Sequence, residues 1–276
     1  MEPKQSVGLH RDTIDKYYTC DTVVDQCIRS VQEALHISPT QDLIIEPSAG
    51  NGSFIEGIKT LCANHLFYDI EPDHDEIVMR DYLTVDITDI RHRFSRIHLI
   101  GNPPFGRQSS LATKFIKHST SFCDSLSFIL PKSFKKDSLQ KRFPPLFHLL
   151  YEVDLPENAF LVNGRPHNVP CVFQIWEKRN CARPVSEVLE PTNFQFVKKH
   201  ESPDISFRRV GVNAGTIDRV IETKSPQSHY FLRFNPDVPI DETIKKLSNV
   251  SFAGDNTVGP RSISKQELLK EFVKVL

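Results

Sequence analysis

The sequence predicts an open, mostly parallel α/β sheet with helices on both faces and one reversed edge strand, followed by a smaller α+β region. Three observations carry this. Short apolar runs alternate with amphipathic stretches from Leu43 to Leu130, the pattern of strands feeding crossover helices. The first of these runs enters a glycine-containing loop, Glu46-Pro47-Ser48-Ala49-Gly50-Asn51-Gly52-Ser53-Phe54. The last two runs, His148–Leu155 and Val172–Trp176, have no helix between them, which makes them an antiparallel hairpin.

The elements follow in order. Val23, Val24, Cys27, Ile28, Val31 and Leu35 recur at near-helical spacing and place a helix within residues 12–36. Lys16-Tyr17-Tyr18-Thr19 stands just ahead of its apolar face, and Pro39 ends it. Leu43-Ile44-Ile45 is a short buried strand. The loop after it lets the backbone pass close to a ligand, and the following helix offers free N–H groups. With only Gly50 and Gly52 it is not the Gly-x-Gly-x-x-Gly of dinucleotide enzymes, and taken alone it also reads as a plain turn. His65–Pro72 is a second strand ending in acids. An acid at that place can accept from ribose hydroxyls; a solvated carboxylate is the plainer reading. Ile77–Leu83 is a short strand bearing Asp81 at its end, and Asp86–Phe94 is helical or irregular.

Arg96–Ile100 is the fourth strand. It runs into Gly101-Asn102-Pro103-Pro104-Phe105-Gly106. Two prolines fix φ, remove donors and stop the strand, so Asn102 is presented on a stiff loop at its tip. Read alone, this is either a proline turn or a catalytic feature. Ser110–Phe122 is a helix with Leu111, Phe115, Ile116 and Ser119 inward, and Leu126–Leu130 a fifth strand running into Pro131-Lys132-Ser133-Phe134-Lys135-Lys136. Pro156–Pro170 is a loop containing the turn Asn163-Gly164-Arg165-Pro166. Residues 180–190 form a linker, dividing the chain at 1–180 and 181–276. Beyond it, Phe194–Val197, Ile205–Val212 and His229–Phe234 read as strands. Ser264 and Glu267 have capping-box spacing ahead of a helix with Leu268, Leu269, Phe272 and Val275 as its stripe. Right-handed crossovers place the loops after strands one to four on one sheet edge, so Gly50, Asp69, Asp81 and Asn102 are expected to converge.

Composition excludes several classes. No apolar run reaches bilayer-spanning length, and the N-terminus lacks the apolar region of a secretory signal. Six scattered cysteines form no Cys-x-x-Cys and the histidines no His-x-x-x-His. The expectation is therefore reduced thiols, no metal, and an intracellular, cytoplasmic location, or a nuclear or viral-factory one. The net charge of −1 is uninformative about nucleic acid. Residues 179–276 carry 15 Lys+Arg against 12 Asp+Glu, a slight basic bias that a solvated surface explains equally well.

Together, Glu46–Phe54 and Asn102-Pro103-Pro104-Phe105, with Asp69-Ile70 and Asp81-Tyr82 between them, resemble the class I S-adenosylmethionine-dependent amino-methyltransferases of the N6-adenine type. The resemblance covers about residues 12–178; Tyr17-Tyr18-Thr19 resembles the segment before the first helix in members whose cofactor motif comes first. It implies a seven-stranded Rossmann-like methyltransferase sheet and S-adenosyl-L-methionine as cofactor. It implies that Glu46, Pro47, Ser48, Gly50 and Gly52 shape the cofactor site, with Tyr18 beside them and Thr19 meeting the methionine carboxylate. Asp69 would take the ribose hydroxyls, Ile70 would lie against adenine, Asp81 would accept from its amine and Tyr82 would pack beside it. Asn102, which the resemblance also places among the cofactor contacts, and the Pro103 carbonyl would accept from the target amine, with Pro104 stiffening the loop and Phe105 stacking on the base. Phe160 sits where relatives stack a second aromatic on the target, or it anchors its loop. Lys132, Lys135, Lys136 and Arg165 would hold phosphates around a flipped nucleotide, or form a solvated run. The region after residue 180 matches a target-recognition region by position only, with Arg208, Arg209, Arg233 and Arg261 as contacts. The implied activity is site-specific DNA adenine-N6 methylation, as in restriction-modification. RNA adenine-N6 or guanine-N2 methylation, a protein glutamine substrate and an inactive nucleic-acid-binding subunit are the alternatives.

Overall fold

The computed structural model describes residues 17–184, 187–252 and 261–276. The chain forms two compact units. One runs to Pro131 and resumes over Gln140–Arg183; the other comprises Lys132–Leu139 and Pro184–Leu276.

In chain order the first unit begins with β1 (Tyr18–Thr19), α1 (Asp21–Ala34), β2 (Leu43–Glu46), α2 (Ile55–Leu61), β3 (His65–Asp69) and β4 (Val78–Met79). It continues with α3 (Thr88–Arg91), β5 (Ile97–Gly101), α4 (Ser110–Ser119) and β6 (Ser125–Pro131). After the short α5 (Asp137–Gln140) come β7 (Phe147–Asp154), β8 (Phe160–Val162), β9 (Arg165–His167) and β10 (Cys171–Lys178).

The seven-stranded sheet has the order β4-β3-β2-β5-β6-β10-β7. Strands β4, β3, β2, β5 and β6 are mutually parallel, and β10 is antiparallel to both its neighbours. From β2 the chain winds outward through β3 and β4, then returns to β5 on the other side of β2 and continues to β6. The boundary between β2 and β5 is therefore a topological switch point, the place where open α/β sheets leave a crevice at the carboxyl ends of their strands. The reversed strand is not the edge strand the sequence suggests. β10 is inserted between β6 and β7, with a bulge at Ile175/Trp176 against β7. Its residues Cys171–Trp176 are buried throughout, whereas β7 is buried only at Phe147. A continuous apolar run suits an interior position, and a half-buried one suits the edge.

Two further differences arise near the site. Of the helix placed within 12–36, residues 12–16 lie outside the described residues, and the helix itself begins at Asp21. Tyr18 and Thr19 are instead extended and pair with Leu161 and Phe160. The loop read over 156–170 contains a hairpin, β8–β9, which turns through Asn163 and Gly164, both at positive φ. β1, β8 and β9 form their own three-stranded sheet.

The second unit holds β11 (Phe194–Val197), β12 (Ile205–Arg208), β13 (Ile217–Asp218), β14 (His229–Phe234), α6 (Ile240–Ser248) and α7 (Lys265–Phe272). Its antiparallel order is β11-β14-β12-β13. Phe194, Phe207, Leu232, Leu247, Leu268 and Phe272 are in its core. Ser264 and Glu267 form the expected capping box on α7, but that helix ends at Phe272 and Val275 is 37% exposed. β13 and α6 are elements that sequence reading did not place. Among the described residues all six cysteines are free. No group of metal-ligating side chains is present among those residues, and no helix is long and apolar enough to cross a membrane.

Candidate functional site

The switch point brings together the two loops that the sequence singles out. The Ser48 hydroxyl, in the loop after β2, donates to the backbone carbonyl of Asn102, in the loop after β5, at 3.0 Å. The residues are 54 apart in sequence. The Asp69 carboxylate, at the end of β3, accepts from the Gly50 N–H at 2.8 Å and the Glu71 N–H at 2.9 Å. These bonds tie the glycine loop to the second strand end. A carboxylate has about four lone-pair sites, so two backbone bonds leave capacity for hydroxyl donors.

Two of the site's glycines show why a side chain is excluded. Gly50 has φ +56, and a Cβ there would come within 3.2 Å of the Tyr18 ring. Gly101 has φ +152, and its Cβ would press on the Glu46 side chain at 3.1 Å. Any larger residue at Gly101 would push Glu46 or the Asn102 loop out of place. Sequence reading included Gly101 in the loop but gave it no role; its position directly before Asn-Pro-Pro was the signal.

Glu46 is the most unusual group in the site. It is 2% exposed, and its Oε2 is buried with no hydrogen-bond partner among the described residues. Burial first, and the neighbouring Asp69 charge second, push its carboxyl well above the ordinary range. Such a group favours its neutral form until a cation arrives.

The loop bearing Asn102 is held firmly. Pro103 is buried and Pro104 exposed. The Phe105 carbonyl accepts from the N–H groups of Leu111 and Ala112 at 3.1 and 3.2 Å, which docks it on the start of α4. Between them Gly106, Gln108 and Ser109 all have positive φ. Such local strain is characteristic of functional loops. The half-buried Phe105 ring packs against the core of the unit.

Several other residues take places different from those expected. Phe160 is 1% exposed, in the core, with Tyr17 edge-on at 6.3 Å. There, opposite Thr19 in the β1–β8 pair, it fills the core, a placement that fits the loop-anchoring alternative. Phe160→Ala is expected to destabilise the protein by about 3–5 kcal/mol, read as a shift in the urea midpoint; a stacking residue would instead lose activity at unchanged stability. Tyr82 is likewise interior. Its hydroxyl shares a 2.7 Å hydrogen bond with Ser119 and its ring stacks on Phe115, so it is a core residue and not a wall of the site. Asp81 is exposed and accepts from the Leu83 N–H at 2.9 Å, capping the short turn after it. Ile70 is 57% exposed beside the end of β3, available to an apolar ligand face. The Tyr18 hydroxyl donates to Asp73, a partner the sequence did not suggest. Gly52 has φ +83, and Pro47 is buried.

The basic candidates are mostly engaged within their own unit. Lys136 donates to the Ser262 carbonyl at 2.6 Å and lies 3.4 Å from Glu267, contacts that hold the start of α7. Lys132 and Lys135 stand in the turn Lys132–Lys135 of the second unit. Arg165 is exposed on β9. Arg208 donates to the Val210 carbonyl, Arg209 to Gln227 and the Tyr230 hydroxyl, Arg233 to Glu201 and Arg261 to Phe252. These arginines anchor loops of their unit, a role their sequence positions do not distinguish from nucleic-acid contact.

No protein-family model and no curated protein matches the chain. Among solved structures, that of the 23S rRNA methyltransferase ErmE aligns with a TM-score of 0.43 at 14% identity, over 60% of this chain and 71% of that one. A putative class I S-adenosylmethionine-dependent methyltransferase from Listeria monocytogenes aligns with 0.45 at 15%, over 65% and 67%. The N-methyltransferase NodS from Bradyrhizobium japonicum WM9, in complex with S-adenosyl-L-homocysteine, aligns with 0.38 at 11%, over 57% and 86%. Likeness at this level assigns nothing to individual residues. The fold, by its own strand order, is a seven-stranded, mostly parallel Rossmann-like sheet with a reversed strand inserted next to the last.

Proposed function

We propose that the chain is an S-adenosylmethionine-dependent amino-methyltransferase acting on the exocyclic N6 of adenine in DNA. The observation that carries this reading is the hydrogen bond from Ser48 to the Asn102 carbonyl at the switch point, which ties the glycine loop to the loop that presents the carboxamide.

The residues fit the cofactor. Glu46 offers a buried acceptor without a partner to a cationic amine, Asp69 retains acceptor capacity for ribose hydroxyls, and Asp81 and Ile70 stand ready for an adenine edge and face. S-adenosylmethionine, when bound, supplies a methyl group on a sulfonium. The chain's own residues position the acceptor. An exocyclic adenine amine is a poor nucleophile because its lone pair is delocalised into the ring. With the Asn102 side-chain oxygen and the Pro103 carbonyl each accepting one N–H, the nitrogen is held toward tetrahedral geometry with its lone pair directed at the methyl. This is positioning by preorganised dipoles and needs no strong base. Phe105 supplies a ring face for the base. A paired base reaches the site only after flipping out of its duplex, at about a few kcal/mol.

The test is incubation with labelled S-adenosylmethionine and duplex DNA, single-stranded DNA or RNA, then digestion to nucleosides. Labelled N6-methyladenine from DNA is the expected product. Label confined to RNA moves the substrate to that polymer, and label in none of the three overturns the reading.

Glu46 gives a second expectation. A carboxyl held protonated by the fold contributes stability fully below its unfolded value, and that stability is lost as pH rises toward the raised folded value. Glu46→Gln is neutral at every pH. At pH 8 the free variant is expected to melt higher than wild type, yet to bind S-adenosylmethionine roughly 10- to 100-fold more weakly, the worth of a charge-assisted bond. Calorimetric titration and melting curves read the two effects; lower stability together with unchanged affinity would contradict the assignment.

A further inference from the structure

We infer that Thr19 is a positioning residue for Asn102: with the Tyr17 carbonyl it fixes which way the Asn102 carboxamide points. This rests on the methyltransferase reading and deepens it. The Asn102 Nδ2 donates to the Tyr17 carbonyl at 3.3 Å and to the Thr19 Oγ1 at 3.4 Å. A backbone carbonyl only accepts, so it selects one of the two carboxamide orientations. The flipped side chain would set two oxygens against each other at that distance. Held this way, Nδ2 is engaged by β1, and Oδ1 is the carboxamide atom that can accept from a substrate amine. The Ser48 hydroxyl holds the backbone carbonyl of the same residue, so side chain and main chain of Asn102 are each tied to a different element.

The tie is built into the fold. Thr19 is 4% exposed and paired with Phe160 in the small β1-β8-β9 sheet. The next residue, Cys20, donates its N–H to the Ala159 carbonyl at 3.0 Å. Phe160 in the core therefore fixes β1, and β1 fixes the carboxamide. The catalytic loop and the N-terminal strand are 83 residues apart at this contact. A threonine hydroxyl can accept from Nδ2 at little entropic cost because χ1 of a β-branched residue is stiff. This differs from a role for Thr19 at the cofactor carboxylate, and the two roles predict different kinetics.

The experiment compares Thr19→Val, Thr19→Ser and wild type in the full chain, measuring kcat for methyl transfer, cofactor Kd by calorimetry and the urea midpoint. Thr19→Val is expected to lower kcat roughly 10- to 100-fold, as small misplacements of a reacting group do, with cofactor Kd unchanged. Thr19→Ser, which keeps the hydroxyl, is expected to recover most of the rate. A weakened cofactor Kd with kcat intact at saturation overturns the inference and returns Thr19 to the cofactor. Equal loss in the valine and serine variants also overturns it, since the hydroxyl would then be irrelevant. A wild-type protein that transfers nothing overturns the underlying reading along with it, and the two failures are thereby distinguished.

Discussion

Asn102→Ala is expected to lower methyl transfer at least 10²- to 10³-fold, the scale of removing one preorganised polar group from a reacting centre, while leaving S-adenosylmethionine affinity unchanged. Two features separate the effects. The residues proposed to meet the cofactor, Glu46, Asp69 and the Gly50–Gly52 turn, lie on β2, β3 and their loops. Asn102 reaches the crevice from β5, and its only side-chain bonds among the described residues go to Tyr17 and Thr19. The alanine variant keeps Pro103 buried and keeps the Phe105 carbonyl docked on α4, so the loop retains its path and loses one acceptor. Asn102→Asp is expected to do no better: an oxygen would replace the nitrogen facing the Tyr17 carbonyl. Labelled transfer assays and calorimetry on the same preparation decide the matter. Equal loss of transfer and of cofactor binding would show that the loop holds cofactor and not the substrate amine.

Asp42→Ala is expected to destabilise the first unit by about 3–5 kcal/mol, read by urea denaturation, because buried donors left without partners cost about 1–3 kcal/mol each. Asp42 is 2% exposed. It accepts from the Ser38 N–H at 2.7 Å, the Arg96 N–H at 3.0 Å and His98 Nε2 at 3.3 Å. These bonds pin the starts of β2 and β5 together. His98 is fully buried and its Nδ1 meets the Ser125 hydroxyl at 2.7 Å, which extends the chain of bonds to the start of β6. A carboxylate only accepts, so Nε2 carries the proton and Nδ1 accepts from Ser125. The serine–histidine–aspartate sequence of contacts resembles a catalytic arrangement, but it is sealed in the core at the edge of the sheet opposite Asn102. Its contribution is to stability.

The same network sets a pH dependence. Burial, outweighing the Asp42 hydrogen bond, lowers the His98 pKa below its ordinary 6.5. The unfolded chain takes up the proton first, so the stability that neutral His98 contributes is present above about pH 6.5 and is lost as pH falls below it. Urea midpoints at pH 7.5 and 5.5 measure the slope. In Asp42→Ala, His98 loses the bond that opposes the shift, so the loss is expected to reach lower pH; an unchanged slope would remove His98 as its cause.

The sequence alone determined the strand runs, the glycine loop, the proline-stiffened Asn102 and their common sheet edge. Each of these rests on a local rule: periodicity, φ restriction, or the handedness of a crossover. A strand that meets two prolines must end, whatever surrounds it, and Ser264 with Glu267 caps a helix by spacing alone. Tertiary structure decided what local rules do not reach. Whether an aromatic stacks on a ligand or fills a core depends on the strand opposite it, and pairing with Thr19 sent Phe160 inward. Whether a lysine is free depends on an acid far along the chain, and Glu267 holds Lys136. β10 took the interior position beside β6 because its two faces are both covered, a property of its neighbours. The orientation of the Asn102 carboxamide belongs to the same class. It is set by a carbonyl 85 residues away, through contacts that exist only once β1, β2 and β5 have been brought to one edge.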